Sequence, residues 1–255
     1  MISTPIRRYG AAILMLLTMA FSGEVLAKTH TDTTSKKAHV IKTTSSKVSS
    51  KQEYSRNSAK SSSLPDLRKY PSGTPRKKAF LRTVMPYITS QNAAITAERN
   101  WLISKQYQGQ WSPAERARLK DIAKRYKVKW SGNTRKIPWN TLLERVDIIP
   151  TSMVATMAAA ESGWGTSKLA RNNNNLFGMK CMKGRCTNAP GKVKGYSQFS
   201  SVKESVSAYV TNLNTHPAYS SFRKSRAQLR KADQEVTATA MIHKLKGYST
   251  KGKSY

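Results

Sequence analysis

Between Pro150 and Gly163 the chain runs Met153-Val-Ala-Thr-Met-Ala-Ala-Ala160 without a single charge, and Glu161 follows at once. A helix that is apolar on every face is stable only inside a core. Gly163 stands where a helix closes on a left-handed residue. The Glu161 carboxyl is therefore expected at the last turn of a buried helix, beside a tight turn and Trp164. Apolar walls and the negative end of the helix dipole both disfavour its charged form. A carboxyl kept protonated suits proton donation to a leaving sugar oxygen. An ion pair with Lys168 or Arg171 would instead make it an ordinary helix-end charge. Spacing alone leaves both readings open.

The rest of the chain arranges itself around that segment. Residues 1–27 read as a cleavable signal peptide: Arg7 and Arg8, an apolar run from Ala11 to Phe21, then Val25-Leu26-Ala27. Residues 28–74 are a basic tether rich in Ser, Thr and Lys, too poor in large apolar groups to order itself. Residues 75–137 form a helical extension. Phe80, Leu81, Val84 and Ile88 recur at helical spacing, Pro86 is expected to kink or split the segment, and Ile95, Arg99, Leu102 and Ile103 continue it. Ser112-Pro113-Ala114-Glu115 is a capping box, with Leu119, Ile122, Ala123 and Tyr126 on the buried face. Pro138 opens a helix through Leu142, Leu143 and Val146. Ser201 and Glu204 form a second capping box, before Val206, Tyr209, Val210 and Leu213. Later helices are expected over about Ser220–Leu229 and Gln234–Leu245.

Charge and cysteines bound the compartment. There are 45 Lys+Arg against 13 Asp+Glu, a formal net charge of +32. In the cytoplasm such a balance points to nucleic acid. Export excludes that partner and leaves a peripheral, salt-sensitive attraction to anionic envelope surfaces. Localisation is expected to be periplasmic. Cys181 and Cys186 enclose Met182-Lys183-Gly184-Arg185, which suits a tight turn. In an oxidising compartment the pair reads as a disulfide across the base of a small β-hairpin. No further ligands stand near enough in sequence for a metal site, and the chemistry calls for no cofactor.

Two blocks carry a family resemblance. Ala160-Glu161-Ser162-Gly163-Trp164-Gly165-Thr166-Ser167, followed by Asn174-Asn175-Leu176-Phe177-Gly178-Met179-Lys180, closely resemble the glucosaminidase family of bacterial cell-wall hydrolases. The resemblance covers about residues 138–255. It implies a mainly α, lysozyme-like fold: a helical lobe, a small disulfide-stapled β-hairpin lobe, and a cleft between them. It implies a monomer that cuts the β-1,4 bond after N-acetylglucosamine in peptidoglycan glycan strands. Glu161 matches the family's general acid, and Tyr248, in Leu245-Lys246-Gly247-Tyr248-Ser249, resembles its cleft tyrosine. Trp164, Asn175, Phe177 and Lys180 fall where the family binds substrate. The local reading stays beside this one: Asn172 and Asn173 read as a turn, Phe177 as core, and Tyr248 as packing.

Two departures bear on activity. No Asp or Glu occurs between Glu161 and Glu204, so the second carboxylate found in some relatives is missing locally. The acetamido group of the substrate, or a carboxylate from elsewhere, would have to replace it. The chain also ends at Tyr255, within a motif that in the family continues into a further helix. Two other activities are weighed against cleavage of the glycan. An amidase would need Cys181 as a thiolate paired with His216, or a zinc site built on His216 and His243. A non-catalytic wall-binding protein would keep the cleft without turnover.

Overall fold

Residues 74–105 are one helix, α1 (Thr74–Lys105), with Pro75 at its start and Pro86 inside it. The helix is not split at Pro86. A proline in a helix interior costs about 3 kcal/mol or more. Phe80, Val84, Ile88, Ile95 and Leu102 are buried on both sides of it, each contributing roughly 2 kcal/mol. Packing along the whole face outweighs one lost hydrogen bond.

The computed structural model describes residues 63–181, 186 and 189–244. The signal peptide, most of the tether, the turn at 182–185 and Tyr248 lie outside the described residues. After α1 come α2 (Pro113–Arg125), α3 (Trp139–Arg145), α4 (Thr151–Ser162), α5 (Lys168–Asn173), α6 (Val202–Thr215), α7 (Ser220–Lys231) and α8 (Ala238–Ile242). Helix α1 packs against α4 and α6, α3 against α7, and α4 against α8. The buried core reaches back beyond Pro75. Leu64 and Leu67, which composition assigns to the tether, are buried beside α1.

The capping box of α2 forms as expected: Ser112 Oγ accepts from Glu115 N–H, and the Glu115 carboxylate accepts from Ser112 N–H. That of α6 forms by half. Ser201 Oγ accepts from Glu204 N–H, but the Glu204 carboxylate turns to the N–H and hydroxyl of Ser200, both at 2.6 Å. Helix α8 starts later than expected because the hydroxyl of Thr237 captures the Ala240 N–H. The expected β-hairpin lobe is absent as regular structure among the described residues. An isolated antiparallel bridge joins Lys180 and Tyr196. The Cys181–Cys186 disulfide is present, with α-carbons 5.4 Å apart.

Helix α4 is set by a buried polar anchor just before it. Asp147 is 1% exposed and faces three guanidiniums: Arg230 at 2.9 Å, Arg99 at 3.5 Å and Arg226 at 3.7 Å. Arg226 is fully buried and also donates to the carbonyls of Glu144, Asp147 and Ile148. Desolvation, only partly offset by Asp147, draws its guanidinium down to about 10. Arg99 donates to the carbonyls of Leu143 and Val146. Asn92 adds a paired contact with Ile149, donating to its carbonyl at 2.8 Å and accepting from its N–H at 3.3 Å. Helices α1, α6 (through Asn214, which donates to the Asp147 carbonyl) and α7 thus all hold the short strap from which α4 departs.

Removing Asp147 would strand buried positive charge, so Asp147→Ala is expected to cost about 4 kcal/mol in urea unfolding. Arg230→Ala, which removes a 37%-exposed partner, should cost about 1 kcal/mol. Equal costs for the two would contradict the anchor.

Candidate active site

Helix α4 delivers Glu161 in its last turn, and the chain then reverses within a few residues. Gly163 caps the helix at φ +56, and Trp164 and Gly165 follow at φ +57 and +77. Three successive residues in the left-handed region are uncommon, and a tryptophan there is strained. The turn is held from both sides. Ser162 Oγ donates to the Ala158 carbonyl at 2.6 Å and accepts from Gly165 N–H at 2.8 Å. Trp164 N–H returns to the Ala159 carbonyl, and Ser167 N–H to that of Ser162.

Gly165 has a second reason to be glycine. A β-carbon there would lie 2.6 Å from Leu67 Cδ1, 3.2 Å from Phe80 and 3.3 Å from Leu64. The reversal is pressed against side chains that precede or belong to α1. Trp164 joins the same contact, edge-on to Phe80 at 5.7 Å with the Lys77 ammonium 5.1 Å above its ring. Part of the surface expected to stack on sugar is thus occupied by Lys77, and the half-buried ring also braces the turn.

The asparagine run does more than turn the chain. Asn172 donates to the Gly191 carbonyl, and Asn173 accepts from Val193 N–H and donates to its carbonyl. Asn174 accepts from Leu64 N–H and donates to the Phe199 carbonyl. Asn175, 1% exposed, donates to the carbonyls of Met179 and Ser197 and accepts from the N–H groups of Phe177 and Met179. Asn172 and Asn173 belong to α5, so reading them as a plain turn is corrected. Side-chain amides do here what strand ladders do elsewhere.

These bonds fold the chain so that Gly178 comes to Glu161. A β-carbon on Gly178 would be 3.4 Å from Glu161 Oε2, and Gly178 has φ +62. Gly178 thus brings its backbone, without a side chain, against one side of the half-buried carboxyl. Gly178 was not singled out by sequence reasoning, although a glycine inside Leu-Phe-Gly-Met-Lys was the available signal. Phe177 is buried and stacks on Tyr209 with centroids 4.0 Å apart. Lys180 is exposed. Glu161, Trp164, Asn175 and Phe177 are thus gathered around one reversal, with Lys180 at its margin. Arg171 donates to the Thr166 carbonyl within the same turn.

Among the described residues no group of three His, Cys, Asp or Glu side chains is placed to hold a metal ion. Cys181 is bonded to Cys186, which removes it as a thiolate nucleophile for a cysteine amidase. No helix among the described residues is long and apolar enough to cross a membrane.

Residues 138–255 match the glucosaminidase family, described as mannosyl-glycoprotein endo-beta-N-acetylglucosaminidase. The whole chain is 94% identical to the protein named "Protein bax" of Escherichia coli (strain K12), covering 93% of that protein. No solved structure matches.

The crowding at Gly165 can be separated from its backbone angle. Gly165→Ala is expected to cost about 3 kcal/mol in chemical unfolding, from left-handed strain and overpacking together. Gly191, at φ +75 with open space around it, isolates the first term, and Gly191→Ala should cost about 1 kcal/mol.

Proposed function

The chain belongs to the glucosaminidase family, and from that membership we propose that it is an exported glycosidase that cuts peptidoglycan strands after N-acetylglucosamine. The observation that carries the proposal is the Glu161 carboxyl at the end of a buried helix, with a glycine, Gly178, rather than a bulkier residue next to its Oε2. Space for a sugar oxygen next to a carboxyl is the first requirement of general acid catalysis. The disulfide and the signal-like first 27 residues support an oxidising compartment outside the inner membrane.

In this reading Glu161 donates its proton to the glycosidic oxygen as the bond from the N-acetylglucosamine C1 breaks. The substrate's own acetamido oxygen closes on C1 in place of a second enzyme carboxylate. Water then opens that ring, and its proton returns to Glu161. Two other carboxylates are poorly suited to act as the base. Asp147 is locked among guanidiniums, and Glu204 is held by Ser200. Tyr248, lying outside the described residues, is assigned to the cleft by resemblance. Trp164 and Lys180 border the sugar, while Asn175 and Phe177 hold the turn that carries Gly178.

Purified sacculi incubated with the mature protein should release fragments with new reducing N-acetylglucosamine ends, read by mass spectrometry. Glu161→Gln should lower that release by about 10³-fold with unfolding unchanged. A variant that cuts as fast as the parent would refute the assignment.

A further inference from the structure

One stripe of α6 is not used by the site. Glu204, Ser207, Ala208, Thr211, Asn212 and Thr215 lie on one face of the helix and line a groove of about 380 Å³. Two other walls come from distant parts of the chain. Met179 directly follows Gly178, the residue beside the Glu161 carboxyl. Lys127 comes from the end of α2, outside the segment matched by the family.

The lining carries two charged groups, the Lys127 ammonium and the Glu204 carboxylate, the latter already engaged by Ser200. The half-buried side chains of Ser207, Thr211 and Asn212 make no hydrogen bond among the described residues. Thr215 by contrast is satisfied by the Thr211 carbonyl. The Lys127 ammonium has no carboxylate partner among the described residues, yet its backbone is firmly held. Lys127 sits at φ +53, its N–H donates to Lys124, and its carbonyl accepts from Arg145 at 2.7 Å. No aromatic ring lines the groove, so it lacks the flat apolar face on which a sugar stacks. From Glu204 to Thr215 the stripe is about 16 Å long at 1.5 Å per residue, the reach of roughly five extended residues.

We propose that this groove receives a carboxylate-bearing peptide attached to the glycan, its amides meeting Ser207, Thr211 and Asn212 and its carboxylate meeting Lys127. The peptide branch leaves the strand near Glu161 and enters the groove at Met179. The helical extension thereby sets a preference for peptide-substituted strands. The inference takes its substrate from the glycosidase reading, but the binding it describes needs no turnover.

The test uses the full mature chain carrying Glu161→Gln and isothermal titration with two soluble ligands. One is a glycan oligosaccharide bearing its peptides, and the other is the same oligosaccharide stripped of them. The peptide-bearing ligand is expected to bind about tenfold more tightly, since one charge-assisted bond is of that size. Lys127→Asn, a residue that tolerates the left-handed region, should erase the preference, and Lys127→Arg should restore it. Equal affinity for both ligands, or a preference that survives Lys127→Asn, would overturn the proposal. If the preference holds while the parent leaves sacculi uncut, the glycosidase reading falls and the groove assignment stands.

Discussion

Asp147 is the constraint on which the site's position depends. It sits immediately before α4, and its carboxylate gathers guanidiniums from α1 and α7 while Arg226 also binds the backbone around it. One carboxylate cannot neutralise three cations, and the carbonyls of Leu143, Glu144, Val146 and Ile148 take further donors. The buried Arg226 Nε, 3.7 Å from the carboxylate, makes no hydrogen bond among the described residues. Buried charge of this kind is a weak source of stability but a strong source of geometry, because every alternative packing leaves a charge unpaired. The strap at 144–150 therefore has one position. Helix α4 starts from it and ends at Glu161.

The far end of α4 is fixed by different means. There the chain spends three residues in a region that L side chains avoid, and hydrogen bonds from Ser162 and contacts from Leu64, Leu67 and Phe80 hold it. The segment beyond is tied down by four consecutive asparagines, which between them bond backbone at Leu64, Phe177 and Met179 and along residues 191–199. A carboxyl, a reversal and a stitched loop are independent devices, and all three meet at Glu161 and Gly178.

Much of this was legible in the sequence because periodicity and capping are local. The buried α4, the Gly163 cap, the α2 capping box and the faces of α3 and α6 follow from residue order alone. The uninterrupted α1 was not legible, because burial on both sides of Pro86 is a tertiary quantity. Arg99 stood within an apolar repeat, and Arg223, Arg226 and Arg230 share one face of α7. Arg223 and Arg226 are buried while Arg230 is partly exposed, and only a partner such as Asp147, far away in sequence, gives that pattern meaning. The asparagine run read as a turn because the bonds of Asn172, Asn173 and Asn174 reach 19 to 110 residues along the chain. The disulfide expected from the cysteine spacing is present, while the hairpin expected with it turns at 182–185, outside the described residues.

The extension and the family-matched segment are one folding unit rather than a module and its appendage. Leu64, Leu67, Phe80, Val84, Ile88, Ile95 and Leu102 all precede residue 138 and are buried in the same core as α4 and α6. At roughly 2 kcal/mol for each buried side chain, their contribution is on the order of 10 kcal/mol. That is as large as the whole stability of a typical domain. The Trp111–Trp139 contact, with centroids 6.3 Å apart, crosses the same boundary. The glycine of Gly-Trp-Gly is shaped to the extension, since its missing β-carbon leaves room for Leu67 and Phe80. A motif that lies in the matched segment thus has its steric reason outside it, and the turn that presents Glu161 exists only when both parts are packed together.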